Sequence, residues 1–402
     1  MTNITIIVII SENLIFVNIY YIFITFTINI IFIKIGYNIY IKYEKEIKVK
    51  KLIIIFMFII MVMFLASCSN AENNGTNSPP DEDSDDSVIE STELSINDYF
   101  PFTENTKYEY VGDGNEYATY SVFTDYITDT RIQTRTNNGG TEIVKVLENK
   151  NGQLKVLLDR AETYFREDFT YTKSSGGEVL IKEPIKVGNS WSNGEDIKTS
   201  ITNLDVDITI PLGTFKALEV TTEGKDYKIT DYYAKDIGLI KTVNTGNGYE
   251  VSSTLTKIEN DVPLVQNIIL YYPNTEEDVI NSLKANISFK TNDDAKKIIE
   301  DAIKNISTQN QVLTSNVKIN KLYLGDDGMV HIDFSKELIS EMNAGSYYES
   351  MILQSITNTL GMYYGIEKIY ITVDGNPYES GHIQKKEGEP FTINFENVKP
   401  VE

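Results

Sequence analysis

The sequence predicts a multidomain α+β chain: an all-β barrel or half-barrel over 97–260, then a small β-α-β-β-α-β domain over 261–402. Three observations carry this. Apolar and polar residues alternate with period two through most of 97–258, which marks half-buried strands. After residue 264 the period changes, and Ala295, Ile298, Ile299, Ala302, Ile303 and Ile306 line one face of a helix. Glycine- and asparagine-rich turns punctuate both regions at short spacing.

The elements are taken in chain order. Residues 1–48 are rich in Ile, Tyr, Asn, Phe and Lys, and Leu14 to Ile33 is an uncharged run long enough to span a bilayer. This composition also resembles translated AT-rich intergenic sequence. The favoured reading is a start assigned too early, with Val49 as the true start. A retained membrane helix with Lys42 to Lys51 inside the cell is the alternative. Residues 49–67 then form a signal peptide: Lys50-Lys51, the apolar run Leu52–Phe64, and small Ala66 and Ser67 before Cys68. Leu65-Ala66-Ser67-Cys68 resembles the lipobox of bacterial lipoproteins. The resemblance implies a diacylglyceryl group on the Cys68 thiol, cleavage between Ser67 and Cys68, and acylation of the new amino terminus. Two acyl chains hold a protein stably at a membrane where one does not. The competing reading is a free cysteine after a membrane helix. Residues 68–96 read as a disordered tether, because low hydrophobicity and the acidic run Asp81–Asp86 leave nothing to offset chain entropy. Its span is about 30 Å for a flexible coil.

In the all-β region the expected strands include Lys107–Val111, Tyr117–Phe123, Glu142–Leu147, Gln153–Leu158, Ile197–Ile201, Val206–Ile210, Ala217–Thr221, Tyr227–Tyr233 and Tyr249–Leu255. Many short antiparallel strands suggest a meander closing on itself. Trp191, the one tryptophan, is expected to plug an end of the sheet. A ligand pocket of Trp191, Phe215 and Tyr233 is conceivable, but core packing is the usual fate of large aromatics.

In the second domain Val265–Tyr272 reads as a strand and Asn292-Asp293-Asp294 as a helix cap. Gly325–Gly328 joins the strands Val317–Leu324 and Met329–Phe334. Ile352, Ile356, Leu360 and Tyr363 mark a second helix ending at Gly365, and Lys368–Val373 is a last strand. Two helices on one face of a small sheet is the expected packing.

Several segments here resemble the sporulation and germination GerMN domain. They are Val330-His331-Ile332-Asp333-Phe334-Ser335-Lys336-Glu337, Ile356–Leu360, Gly365–Ile369, Ile371–Pro377 and Gly381-His382-Ile383, in the family's order. The likeness covers about 130 residues and nothing before 261. It implies a sporulation or germination role through protein–protein assembly, with no cofactor. Family members often carry tandem copies, and this chain shows one.

A net charge of −22, from 58 acidic and 36 basic residues, argues against nucleic-acid binding. A single cysteine permits no internal disulfide. His331 and Asp333 share a strand face, so a dyad is conceivable; a surface pair is the commoner outcome. His382 has no nearby metal-type partners in sequence. No Cys/His cluster or phosphate loop appears, so no catalytic, metal or cofactor residue is nominated. The reading is a lipid-anchored, non-enzymatic scaffold on the outer face of the membrane, with envelope or sporulation proteins, or a second copy, as partners. A lipid- or glycan-binding β-domain is the alternative, and a cell-wall hydrolase accessory a third. Lys318, Asn320, Tyr370 and Thr372 are expected on an uncovered sheet face. Tyr347 and Tyr348, with Tyr370 and Thr372, are the candidate interface.

Overall fold

The computed structural model describes residues 93–174, 176–306 and 311–401. The chain divides into units Met1–Val88 and Ile89–Glu402. The signal peptide, Ser67, Cys68 and all but the end of the expected tether lie outside the described residues. No helix among the described residues is long and apolar enough to cross a membrane.

Twelve strands form one antiparallel sheet that nearly closes into a barrel. β1 (Lys107–Asp113), β2 (Tyr120–Ile127), β3 (Arg131–Asn137), β4 (Glu142–Lys150), β5 (Gln153–Arg160) and β6 (Val179–Lys182) make one meander. β7 (Ser190–Gly194), β8 (Ile197–Ile210), β9 (Gly213–Glu223), β10 (Tyr227–Ala234), β11 (Gly238–Gly246) and β12 (Tyr249–Glu259) make a second. β12 returns beside β1, so the order runs full circle except between β6 and β7. Side chains bridge that seam. The Trp191 indole N–H donates to the Val179 carbonyl at 2.8 Å, and Asn193 both donates to that carbonyl and accepts from the Val179 amide. A buried edge needs such partners for its backbone groups. Trp191 thus closes the wall, and a short helix α1 (Ile96–Tyr99) packs into the same cluster as Trp191, Leu218 and Tyr233.

The two segments expected at 197–201 and 206–210 are one strand, β8, whose register shifts twice between Ile201 and Val206. β3, β6, β7 and β11 were not anticipated. β3 carries two arginines and a glutamine, residue types that are usually exposed; here Gln133 and Arg135 are buried and donate to the carbonyls of Thr163, Phe165 and Glu167.

The second module contains every expected element, with four further strands and a one-turn helix among the described residues. β13 (Leu264–Asn274) and β14 (Val279–Phe289) form a long hairpin, followed by α2 (Ala295–Lys304). β15 (Ile319–Leu324) and β16 (Val330–Phe334) form the second hairpin. A one-turn helix α3 (Glu337–Ser340) and the long α4 (Ser346–Tyr364) lead to β17 (Lys368–Val373), which pairs parallel to β16. β18 (Asn376–Pro377) and β19 (Phe391–Thr392) add to β17, and β20 (Val398–Val401) adds to β14. The strands therefore divide between two sheets. α4 contacts both, which is why its buried residues run round most of its circumference. Ile352, Ile356 and Leu360 enter the apolar core, while the Thr359 hydroxyl accepts from the Tyr271 amide at 3.0 Å. The helix stops at Gly365, whose φ of 67° is left-handed.

Candidate interaction face

Pairing β15, β16 and β17 sorts their side chains by parity. Val330, Ile332 and Phe334 turn inward with Ile369, Ile371 and Val373, all buried. The opposite parity forms an uncovered face. Tyr323 lies directly across from His331, and His331 across from Tyr370. The Tyr323 and His331 rings stack at 5.0 Å, and Tyr370 meets His331 edge-on at 5.4 Å. Tyr323 is 43% exposed. Offset and edge-on pairs of this kind hold rings in fixed orientations.

Charged groups frame the rings. His331 Nε2 bonds Asp327 of the turn at 2.9 Å, not Asp333, so the conceivable dyad does not form. Asp333 instead accepts from Thr372 Oγ1 at 2.6 Å, the Gly375 amide at 2.7 Å and Asn320 Nδ2 at 3.0 Å. Burial opposes its charge, but these three donors outweigh it and hold the carboxyl below its ordinary range. The side edge of β15 is pinned by two carboxylates: Glu300 accepts from the Ile319 amide and Glu167 from the Leu324 amide. Burial works against the charge of Glu300 too, yet Lys304, the Ile319 amide and Lys297 bring its carboxyl down to about 2.

Four interface candidates came from the sequence, and the structure separates them. Tyr370 and Thr372 lie on the uncovered face as expected, with the Thr372 hydroxyl engaged by Asp333. Asn320 joins them through Asp333, while Lys318 is exposed at the start of β15. Tyr347 and Tyr348 open α4 elsewhere. The Tyr347 hydroxyl donates to Asp278 in the β13–β14 turn, and Tyr348 is half-buried against the apolar core. Sequence reasoning missed Tyr323 and His331 as neighbours of Tyr370. Counting outward from a Gly325–Gly328 turn sets 323 opposite 330; the loop closes one residue later, at Met329, and that places 323 opposite 331.

The face is mounted on the barrel through a buried charge cluster. Residues 161–174 leave the barrel after β5 and place Phe165 in the second module's core, its ring 4.7 Å from Tyr364. The next residue, Arg166, is fully buried. It donates to the Asp125 carboxylate at 3.1 Å and to the Lys290 carbonyl at 2.8 Å, and its guanidinium lies over Tyr126 and Phe289. Asp125 also pairs with Arg135 at 3.0 Å and accepts from Gln133. The Arg166 amide donates to the Tyr363 hydroxyl, which donates on to Gln266. Nearby, Asn105 and Thr291 exchange hydrogen bonds, and the Ile127 amide donates to Asn292. Asn292, expected as part of the α2 cap, therefore serves the barrel, and Asp294 caps the helix.

The conceivable pocket of Trp191, Phe215 and Tyr233 is not formed. Trp191 and Tyr233 share one core cluster and Phe215 packs against another. Among the described residues no group of three or more His, Cys, Asp or Glu is placed to hold a metal ion.

Comparison with known proteins gives the second module its identity. Residues 269–379 match the Germane family, described as sporulation and spore germination, so this stretch is a GerMN domain. The chain is similar to the tandem GerMN domains of the sporulation protein GerM from Bacillus subtilis, at 23% identity and a TM-score of 0.25. That match covers 32% of this chain and 46% of the other, so the chain spans less than half of the tandem structure. It is also similar to a candidate lipoprotein from Clostridium perfringens, at 21% identity and a TM-score of 0.21, over 32% of this chain and 87% of that one. A candidate exported protein with a YmcC-like fold from Bacteroides fragilis is similar at 11% identity and a TM-score of 0.23, over 40% of this chain and 99% of that one. No curated protein matches the chain.

Proposed function

We propose that this chain is a lipid-anchored, non-enzymatic assembly factor for sporulation or germination, acting on the extracytoplasmic side of the membrane. One observation carries the reading: a GerMN domain presents the open aromatic face Tyr323–His331–Tyr370 while being fixed to a barrel by buried charge. Tyrosine and histidine rings offer contact area with little side-chain entropy to lose. A fixed mount favours binding, because a face held in one orientation loses less freedom on association. Cys68 supplies the membrane attachment, and the partners are envelope or sporulation proteins, a second copy included. The face favours recognition over catalysis, since the Asp333 carboxylate is engaged by three donors and His331 by Asp327.

The test replaces Tyr323→Glu and Tyr370→Glu together in the full chain. Envelope proteins recovered with it from crosslinked membranes should be lost and spore yield or germination should fall. Membrane attachment and melting temperature should stay unchanged. Unaltered recovery of partners with normal folding would remove this face from consideration.

A further inference from the structure

The barrel is not packed solid. A cavity of about 340 Å³ lies inside it, against the inward side of β1 to β4. Strand register assigns that side. Tyr108, Val122, Thr136 and Ile143 are cross-strand neighbours in one row, and Thr124, Thr134 and Lys145 form the next. Ile132 and Leu147 form the row beyond and are buried, whereas Tyr108, Val122, Thr134 and Ile143 stay half-buried although they face the interior. Protein interiors are close-packed, with few voids larger than a water molecule. This one lies within the range of about 300–1,000 Å³ that small-molecule pockets occupy.

The chemistry of the lining selects the ligand. The Tyr110 hydroxyl donates to the Leu239 carbonyl at 2.8 Å, and the Tyr108 hydroxyl shares a hydrogen bond with Thr103 at 2.9 Å. Those two polar tips are occupied within the fold, so the rings offer mainly their apolar faces. A glycan needs free donors and acceptors along its length, and these tyrosines do not supply them. Phe100 and Pro101 add apolar surface beside Ile132 and Leu147. Thr124, Thr134, Thr136 and Tyr120 add single hydroxyls to the lining, and charge enters it at one place. β6 is only four residues long and pairs with Gln153, Leu154 and Lys155, so the end of β5 has β4 on one side and a free edge on the other. Lys145 lines the cavity and pairs with Asp159 of that free stretch at 3.1 Å, and both side chains are exposed.

We propose that this cavity binds the hydrocarbon chain of a single-chain amphiphile, with its polar end at the Lys145–Asp159 gap. At a share of about 30 Å³ for each water-sized unit, the volume accepts roughly ten carbons.

The test uses the compact unit 89–402, whose cores are complete, and alkylphosphocholines of eight to sixteen carbons below their micelle-forming concentrations. Calorimetry should give one site. Affinity should rise about fourfold per methylene, from roughly 0.8 kcal/mol each, and level off near ten to twelve carbons. Thr134→Trp, which fills the middle row, should weaken binding at least tenfold with melting kept or raised; Ile143→Phe is the smaller filling change should the tryptophan not fold. Maltohexaose should not bind. No binding, affinity without a plateau, equal binding by a folded filled variant, or maltohexaose binding would each overturn the proposal. Failure here leaves the Tyr323–Tyr370 face untouched, since the two sites share no residue.

Discussion

Removing Asp125 should test how strongly the barrel and the GerMN domain are joined. Its carboxylate is fully buried and meets Arg135 at 3.0 Å, Arg166 at 3.1 Å and Gln133 at 3.2 Å. Asp125→Ala leaves Arg166 with carbonyl and hydroxyl partners but no anion. Arg135 keeps Glu142, at 2.8 Å, as its one anion, beside the Thr163 and Phe165 carbonyls. Breaking a buried ion pair by deleting one partner costs about 3–5 kcal/mol, because the other charge stays desolvated. At about 2.1 cal/mol/K of unfolding entropy per residue, a unit of this size would lose roughly 5–8 °C in Tm. Denaturant unfolding and calorimetry of the 89–402 unit measure both. Lys216→Ala, which removes an exposed pair with Asp207, is the control and should leave the unfolding curve nearly unchanged. An Asp125→Ala loss as small as the control's would refute the account of the joint.

Phe165→Ala should destabilise the GerMN domain from outside it, by about 3–5 kcal/mol for a buried phenylalanine, read as faster amide exchange in α4; unchanged exchange there would oppose the shared core. Because Phe165 and Arg166 tie the barrel to the second module, 89–402 should melt in one transition, and two resolved transitions would show that 97–260 and 261–402 fold separately. Glu300 has its carboxyl depressed from 4.5 to about 2. Its contribution is therefore present above about pH 4.5 and is lost as pH falls toward 2. It should be a few kcal/mol at pH 6 and roughly half of that or less at pH 3. The gap between wild type and Glu300→Gln should shrink accordingly, and a gap independent of pH would contradict the assignment. Cys68→Ser should release the protein from membranes or leave it unprocessed; a membrane-bound variant still carrying residues 1–48 would show that the early apolar run is the anchor.

The legible parts of the fold are those where burial follows one simple period. Ile352, Ile356 and Leu360 announced α4, and inward Ile369, Ile371 and Val373 announced β17 with Tyr370 and Thr372 outside. What stayed hidden is where polar residues were buried or a second layer covered an element. β3 hid behind Arg131, Gln133 and Arg135, because charged residues at alternate positions imply solvent; here Asp125, Glu142 and the carbonyls of 163–167 replace water. β14 lay between the recognised elements as Val279–Phe289, where asparagine, lysine and serine interrupt the apolar positions. α4 also buries Ser355, Thr357, Asn358 and Thr359, polar residues that the apolar period does not mark as core. Asn358 bonds the backbone of Asn394 through both amide atoms, and Thr359 bonds Tyr271. The aromatic face was half legible: Tyr370 by parity, Tyr323 and His331 only once the hairpin register is known.

The most direct test of the scaffold reading is site-specific photocrosslinking from position 370 of the full-length protein in sporulating cells, with position 347 as the control. Tyr347 is exposed as well, at 59%, but stands at the start of α4, outside the aromatic face. The account predicts a discrete crosslinked envelope partner, or a crosslinked second copy, from position 370. The yield from position 347 should be much lower. Equal labelling from both positions, or none from 370 in a correctly folded and membrane-attached protein, would contradict it.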